Sequence, residues 1–177
     1  GTGLGNYSIT YTNGVLTVTK LGLTVTGATA SGKTYDGTTS ATITGATLVG
    51  VLAADAGNVT VGGGGTFASA NVGTGIAVTA ALTLGGPAGG NYSLTQPTGL
   101  TATISKANQT ITFGVLAGKT TADADYSPGA TSPSSGVNPI TYTSSNTAVA
   151  TIVSGNIHIV GVGTTNITAS EAGSANY

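Results

Sequence analysis

The chain has no cysteine, so no disulfide braces it and no thiolate is on hand as a nucleophile or metal ligand. Methionine, tryptophan and arginine are missing too, and only 5% of the residues are charged. An ordinary soluble domain carries about 25% charged residues, so this surface must be built from hydroxyls and backbone amides rather than ions. Four lysines against five acids give a formal net charge of −1. That balance offers no basic stripe for a phosphate backbone, and nucleic acid is not an expected partner. No run approaches the roughly 18 consecutive apolar residues of a membrane-spanning helix, and the first residues show neither a basic region nor an apolar core of a signal peptide. Membrane insertion of this segment is therefore not expected. The hydrophobic fraction of 39% and the absence of charge blocks also argue against simple disorder.

What the chain does contain is a repeat. Asn6-Tyr7, Asn91-Tyr92 and Asn176-Tyr177 stand 85 residues apart. Gly5-Asn-Tyr-Ser-Ile-Thr followed by Leu16-Thr-Val-Thr-Lys20 is echoed by Gly90-Asn-Tyr-Ser-Leu-Thr followed by Leu100-Thr-Ala-Thr-Ile-Ser-Lys106. Such a period is too long for one turn of a solenoid and suits a small autonomous domain, so the sequence reads as beads on a string. The expected boundaries are 1–20 for the closing hairpin of a preceding repeat, 21–106 for one complete domain, and 107–177 for another that lacks its last strand.

Short runs in which β-branched residues alternate with small or polar ones predict an all-β fold. They are Tyr7–Thr12, Val15–Thr19, Ala41–Thr44, Ile76–Leu84, Thr110–Phe113 and Asn156–Val160. Asn13-Gly14 accepts positive φ at both centres of a type I′ turn and predicts a hairpin over residues 7–19. Leu52–Ala56 is the best helix candidate, at most one or two turns. Gly62–Gly65 is expected to be a tight turn or bulge between strands, because no Lys-Ser/Thr follows it as in a phosphate loop. The core of the last domain is expected to rest on Phe113, Ile140, Val149, Ile152, Ile157, Val160 and Ile167. Tandem antiparallel sandwiches are the expected architecture, with a β-grasp-like arrangement as the alternative for residues 21–106.

Few side chains offer chemistry. His158 stands alone between Ile157 and Ile159, on the opposite strand face, and reads as solvent-facing. Asp123-Ala-Asp125 is the nearest approach to a calcium motif, but it lacks the glycine and later glutamate of an EF-hand loop, so a loop turn is expected there instead. No catalytic residue and no cofactor is expected, since one histidine and five acids do not assemble a nucleophile, base and orienting group. Repeated Thr-x-Thr pairs place two hydroxyls on one strand face; the alternative function they suggest is a carbohydrate- or ice-binding surface. Tyr7, Tyr92 and Tyr177, at equal phase, are expected to bury a ring and hydrogen-bond the hydroxyl to nearby backbone.

Lys33-Thr-Tyr-Asp-Gly-Thr-Thr39, with Gly73-Thr-Gly, Gly90-Asn-Tyr-Ser-Leu-Thr and Gly99-Leu-Thr-Ala-Thr-Ile, resembles the YDG domain, a repeat of large bacterial surface proteins related to filamentous haemagglutinin-like adhesins. Tyr35, Asp36 and Gly37 are its signature. Beside them, Asp36-Gly37 is expected to turn while Tyr35 packs at a strand end; a Lys33 isopeptide cross-link is the less favoured possibility. Residues 5–20 resemble the closing hairpin of an MBG-type repeat. Ile140–Ile152 and Gly155–Ala169 resemble bacterial immunoglobulin-like domains of the invasin and intimin type. These resemblances imply a non-enzymatic stalk segment of a long extracellular adhesin, of the kind Bacteroidota use for attachment and gliding. They imply neighbouring repeats as the direct partners, a surface or glycan ligand bound elsewhere in the parent, and no catalytic residues. On the same reading the last domain exposes an unpaired sheet edge and residues 1–20 need a sheet to join.

Overall fold

The structure, a computed structural model, describes residues 8, 10–134 and 138–177. It is all-β, with no α-helix among those residues. Strands β1 (Leu21–Thr26), β2 (Thr29–Ala30), β3 (Lys33–Thr34), β4 (Ser40–Thr44), β5 (Thr47–Val49), β6 (Thr60–Phe67), β7 (Gly73–Gly85), β8 (Tyr92–Leu94) and β9 (Leu100–Ser105) pair only among themselves. Six of them form a sheet in the order β2-β4-β6-β7-β9-β3, and the other three a sheet in the order β5-β1-β8. Most pairs are antiparallel, but β1 runs parallel to β8 and β3 parallel to β9.

The alternation that marked these strands in the sequence is the reason they bury one face. In β7, Val78, Ala80 and Leu82 point inward while Ala77, Thr79, Ala81 and Thr83 face out. Val78 joins Ala41, Phe67 and Ile104 in one core cluster, against which Tyr35, Val72 and Leu100 pack. Ala80 and Leu82 join Ile43 in a second cluster. Val25 of β1 and Leu94 of β8 lie on that second cluster, which sets the small sheet against the large one. Leu23 and Ile104 are completely removed from solvent, and each such side chain contributes about 1.5–3 kcal/mol of transfer free energy.

The glycine run Gly62–Gly65 is no turn. It lies in the interior of β6, paired with both β4 and β7. Neighbouring backbone comes too close for side chains there: a Cβ on Gly64 would stand 2.9 Å from the Ala41 carbonyl oxygen, and one on Gly65 2.7 Å from that of Thr79. The helix candidate Leu52–Ala56 is a single 3-10 turn, Ala53–Asp55, with no buried residue; it is not a helix packed on a sheet.

The hairpin expected over residues 7–19 is not formed in the described part. Residues 10–20 carry no strand, and Tyr11, Val15, Leu16 and Val18 are all at least 85% exposed. Asn13-Gly14 has the right turn chemistry, but two strands without a third have too little apolar surface to bury to hold together in water. Tyr7 lies outside the described residues.

Beyond Lys106 the chain forms two ribbons. β10 (Thr141–Ser144) pairs with β13 (Ile167–Ser170), and β11 (Ala150–Val153) pairs with β12 (Asn156–Ile159), all antiparallel. β11 and β12 are joined by Ser154-Gly155, with φ of 50° and 80°, the positive pair that a two-residue hairpin turn requires. The run expected at Thr110–Phe113 contributes only a bridge from Thr112 to Thr131. Ile157 and Ala150 are the buried core residues of this part; Phe113, Ile140, Val149, Ile152 and Ile167 are half-buried, and Val160 is exposed. Val160 falls on the His158 face of the β12 alternation, opposite Ile157 and Ile159, and so points outward.

Candidate functional site: an ion-paired loop beside the junction

β3 ends at Thr34, and Tyr35-Asp36-Gly37 then reverses the chain toward β4. Gly37 has φ of 76°, a conformation costly for any side chain. The turn is closed by charge. Lys33 Nζ donates to Asp36 Oδ1 at 2.7 Å, to the Thr38 carbonyl at 2.7 Å and to Thr38 Oγ1 at 2.9 Å. Asp36 Oδ1 also accepts from the Thr38 N–H and hydroxyl, both at 2.9 Å. The Lys33 hydrogen bond, reinforced by those from Thr38, lowers the Asp36 pKa to about 2. Lys33 Nζ lies 5.6 Å from the Phe67 ring centroid as well. With its ammonium hydrogens spent in this loop, Lys33 is a structural ion rather than a free nucleophile.

Tyr35 forms the hydrophobic side of the turn. Its ring packs on the Phe67 cluster and meets Tyr177 edge-on, with centroids 5.5 Å apart and planes at 76°. Tyr177 therefore does not repeat the burial of Tyr92 within its own sheet. The reason lies in Asn176 beside it: its Oδ1 accepts from the Val72 N–H at 3.0 Å, and its Nδ2 donates to Asn71 Oδ1 at 3.1 Å. Lys106 Nζ donates to the Ser174 and Tyr177 backbone oxygens at 2.5 and 3.1 Å, and the Ala107 N–H to the Asn176 oxygen at 3.0 Å. A short covalent connection, two aromatic rings and a cluster of hydrogen bonds thus fasten the second part of the chain to the Gly73 end of β7.

Tyr92 serves the opposite end. It is 3% exposed, and its hydroxyl donates to Asp55 Oδ2 at 2.6 Å while accepting from the Leu52 N–H at 3.3 Å. The ring is buried as expected, with a carboxylate beside the expected backbone partner. The Asp55 hydrogen bond, followed by burial, pushes the phenol pKa up.

Asp123 and Asp125 do not act together. Asp123 Oδ2 accepts from the Thr120 N–H at 2.6 Å and its hydroxyl at 3.0 Å, and these bonds hold its pKa below the ordinary value. Asp125 instead pairs with His158 Nδ1 at 2.7 Å. His158 is solvent-facing as expected, yet it has an acid partner 33 residues away that sequence proximity concealed. Among the described residues no three His, Cys, Asp or Glu side chains gather in a way that would hold a metal ion. A further acid missed in the sequence is Glu171, which accepts from the hydroxyls of Ser132 and Ser134, the latter at 2.7 Å. Desolvation pushes its pKa up, but the bonds from Ser132, Ser134 and Gln109 outweigh it and leave the carboxyl below its usual range.

The threonine faces are interrupted. Ser40, Thr66 and Thr79 stand in one row across β4, β6 and β7, but the next row reads Thr42, Gly64, Ala81 and the one after has Gly62 beside Thr83. In the second part, Tyr126, Ala150, Ile157, Ile159 and Ile167 line an apolar cleft of about 580 Å³, with Lys119 over the Tyr126 ring at 4.9 Å.

Among the described residues no helix is long and apolar enough to cross a membrane. No curated protein and no solved structure matches the chain. The family model that matches is the YDG domain, over residues 19–99, somewhat less than half of the chain. That span holds β1 to β8 with both the Lys33–Asp36 turn and the Tyr92 anchor, and this part of the chain is similar to a YDG domain.

Proposed function

We propose that the chain is a non-enzymatic spacer within a long adhesin on a bacterial cell surface. The observation that carries this reading is the junction. A domain that only tethers needs a linker, whereas a domain that sets distance and direction needs a fastened joint, and Asn176, Tyr177 and Lys106 make one at the end of the long strand β7. On this reading the second part is a bacterial immunoglobulin-like domain of the invasin type, and residues 5–20 are the end of an MBG-type repeat. The neighbouring repeats of the same polypeptide are its partners, and the surface or glycan ligand is held elsewhere in the parent. Attachment or gliding of a Bacteroidota cell is the biological setting this implies. Low charge and a hydroxyl-rich surface support an extracellular place, where a stalk must resist nonspecific ionic contacts.

The test has two arms. Antibodies raised against the chain should label intact cells of the source organism without permeabilisation. The purified chain should show no saturable binding on a glycan array. Labelling only after permeabilisation would remove the surface assignment, and saturable glycan binding would replace the spacer with a lectin.

A further inference from the structure

The chain enters and leaves residues 21–105 at opposite ends. β1 begins at Leu21, which pairs with Tyr92, and Tyr92 follows the Gly89–Asn91 turn that packs on Leu84 at the Gly85 end of β7. β9 ends at Ser105, next to Ile104, which pairs with Gly73 at the other end of β7. The 13 residues of β7 between those ends span about 40 Å. Residues 1–20 precede this part and residues 106–177 follow it, so a pull along the polypeptide acts lengthwise on the strands.

The two parallel pairs are the ones that such a pull meets. β8 leads through residues 95–99 into β9, and Gln96 pins that connection to β7. Its Nε2 donates to the Leu82 carbonyl at 2.7 Å, and its Oε1 accepts from the Leu82 N–H at 2.9 Å. β1 is therefore drawn one way while β8 is drawn the other, and the hydrogen bonds between them lie across the pull. We propose that residues 21–105 are built to carry tension, with the parallel pairs β1–β8 and β3–β9 as clamps loaded in shear. Bonds loaded in this way must fail together, whereas at the open end of a hairpin they fail one at a time. The proposal rests on the spacer reading only for the presence of tension.

Both clamps resist sliding. Leu23 in β1 and Ile104 in β9 are completely buried, and a slip of one residue would turn either side chain to the outer face. Beyond the paired residues Leu21–Leu23, the Thr95 N–H donates to the Leu23 carbonyl at 2.9 Å and lengthens the first clamp. At the exit, β9 is held on both edges, by β7 and by β3. The Tyr35 N–H donates to the Ser105 carbonyl at 2.8 Å, and Ser105 Oγ donates to the Lys33 carbonyl at 3.3 Å. The turn that Lys33 and Asp36 close thus grips the last residue of β9, directly before the junction. β9 is the firmer of the two, so β1–β8 sets the force at which this part yields.

Single-molecule force spectroscopy on the full chain tests this by direction of pull. Because the chain has no cysteine, pairs of introduced thiols at exposed positions place the handles uniquely. Leu16→Cys with Asn108→Cys loads the strands as the polypeptide does, whereas Asn58→Cys with Pro87→Cys opens the β6–β7 hairpin from its free end. At equal loading rate the first pair is expected to need at least about twice the force of the second, since forced unfolding follows the barrier of the bonds under load. Thr95→Pro, which deletes the N–H bonded to Leu23, is expected to lower the force along 16–108 and leave that along 58–87 unchanged. A variant that merely loosens the fold would lower both. Equal forces in the two directions on the otherwise unaltered chain would overturn the proposal and leave the spacer reading to its own test. A Thr95→Pro chain as strong as its parent along 16–108, or weakened equally in both directions, would overturn the assignment of the clamp to β1–β8.

Discussion

Gly62 and Gly65 belong to the same run but should respond oppositely to a methyl group. At Gly62 a Cβ meets nothing within 4 Å, so Gly62→Ala removes backbone freedom from the unfolded chain without straining the folded one. It should stabilise by about 0.4–1 kcal/mol. At Gly65 the same atom would stand 2.7 Å from the Thr79 carbonyl oxygen and 3.0 Å from both Ile43 Cδ1 and Val78 Cγ1. The oxygen belongs to the partner strand, so β7 must move away from β6 or the side chains of two core clusters must leave their rotamers. Overpacking of this kind costs about 1–3 kcal/mol. The two variants should therefore differ by about 1.5–4 kcal/mol, and in a domain of this size each kcal/mol shifts the melting temperature by about 4–8 °C. Differential scanning calorimetry should place the Gly65→Ala transition on the order of 10 °C below that of Gly62→Ala, with hydrogen exchange at Phe67 assigning the transition to the first part. Equal melting temperatures would mean that β4, β6 and β7 do not approach as closely as the register requires, and the central sheet would have to be redrawn.

Two further outcomes follow from the anchors at either end of the repeat. The Tyr92 phenol has a folded pKa raised above the ordinary 10.0, so its contribution to stability is complete below about pH 10 and is lost as the pH rises through the folded value. Tyr92→Phe should remove that alkaline slope in pH-dependent melts; an unchanged slope would detach Tyr92 from Asp55. Asp36, lowered from 3.8 to about 2, contributes stability that is present above pH 3.8 and lost as the pH falls toward 2. Asp36→Asn should flatten this acid limb, and a limb identical to that of the parent chain would show that the Lys33–Asp36–Thr38 turn does not persist in solution.

Much of the strand framework was legible because one face of each strand is buried and alternation writes that face into the sequence. β4, β7 and β12 lie where Ala41–Thr44, Ile76–Leu84 and Asn156–Val160 placed them. The Tyr92 anchor was legible from the repeat, and the Asp36-Gly37 turn from its own chemistry. Glycine misled in one place. A glycine run ordinarily punctuates strands, but Gly64 and Gly65 are there because the flanking backbones leave no room for Cβ, a requirement written in residues 41 and 79 rather than nearby. Asn13-Gly14 misled in the other direction, since a strong turn signal says nothing about whether a sheet is present to receive the hairpin. The parallel pairs β1–β8 and β3–β9, the His158–Asp125 contact and the Glu171 cluster join residues 33 or more apart. Local pattern carries no record of such partners. Tyr177 shares its phase with Tyr92 but not its role, because Asn176 finds partners at Asn71 and Val72 that pull the pair onto the other part of the chain.

The spacer reading stands on the fastened junction, and small-angle X-ray scattering of the single chain measures its consequence. One compact globule of 177 residues has a radius of gyration of about 16 Å. Two parts joined end to end through Asn176, Tyr177 and Lys106 should give a value well above that and the two-maximum distance distribution of an elongated pair. A radius near 16 Å with a single symmetric maximum would mean that the parts fold back on each other, and the chain would not be a spacer.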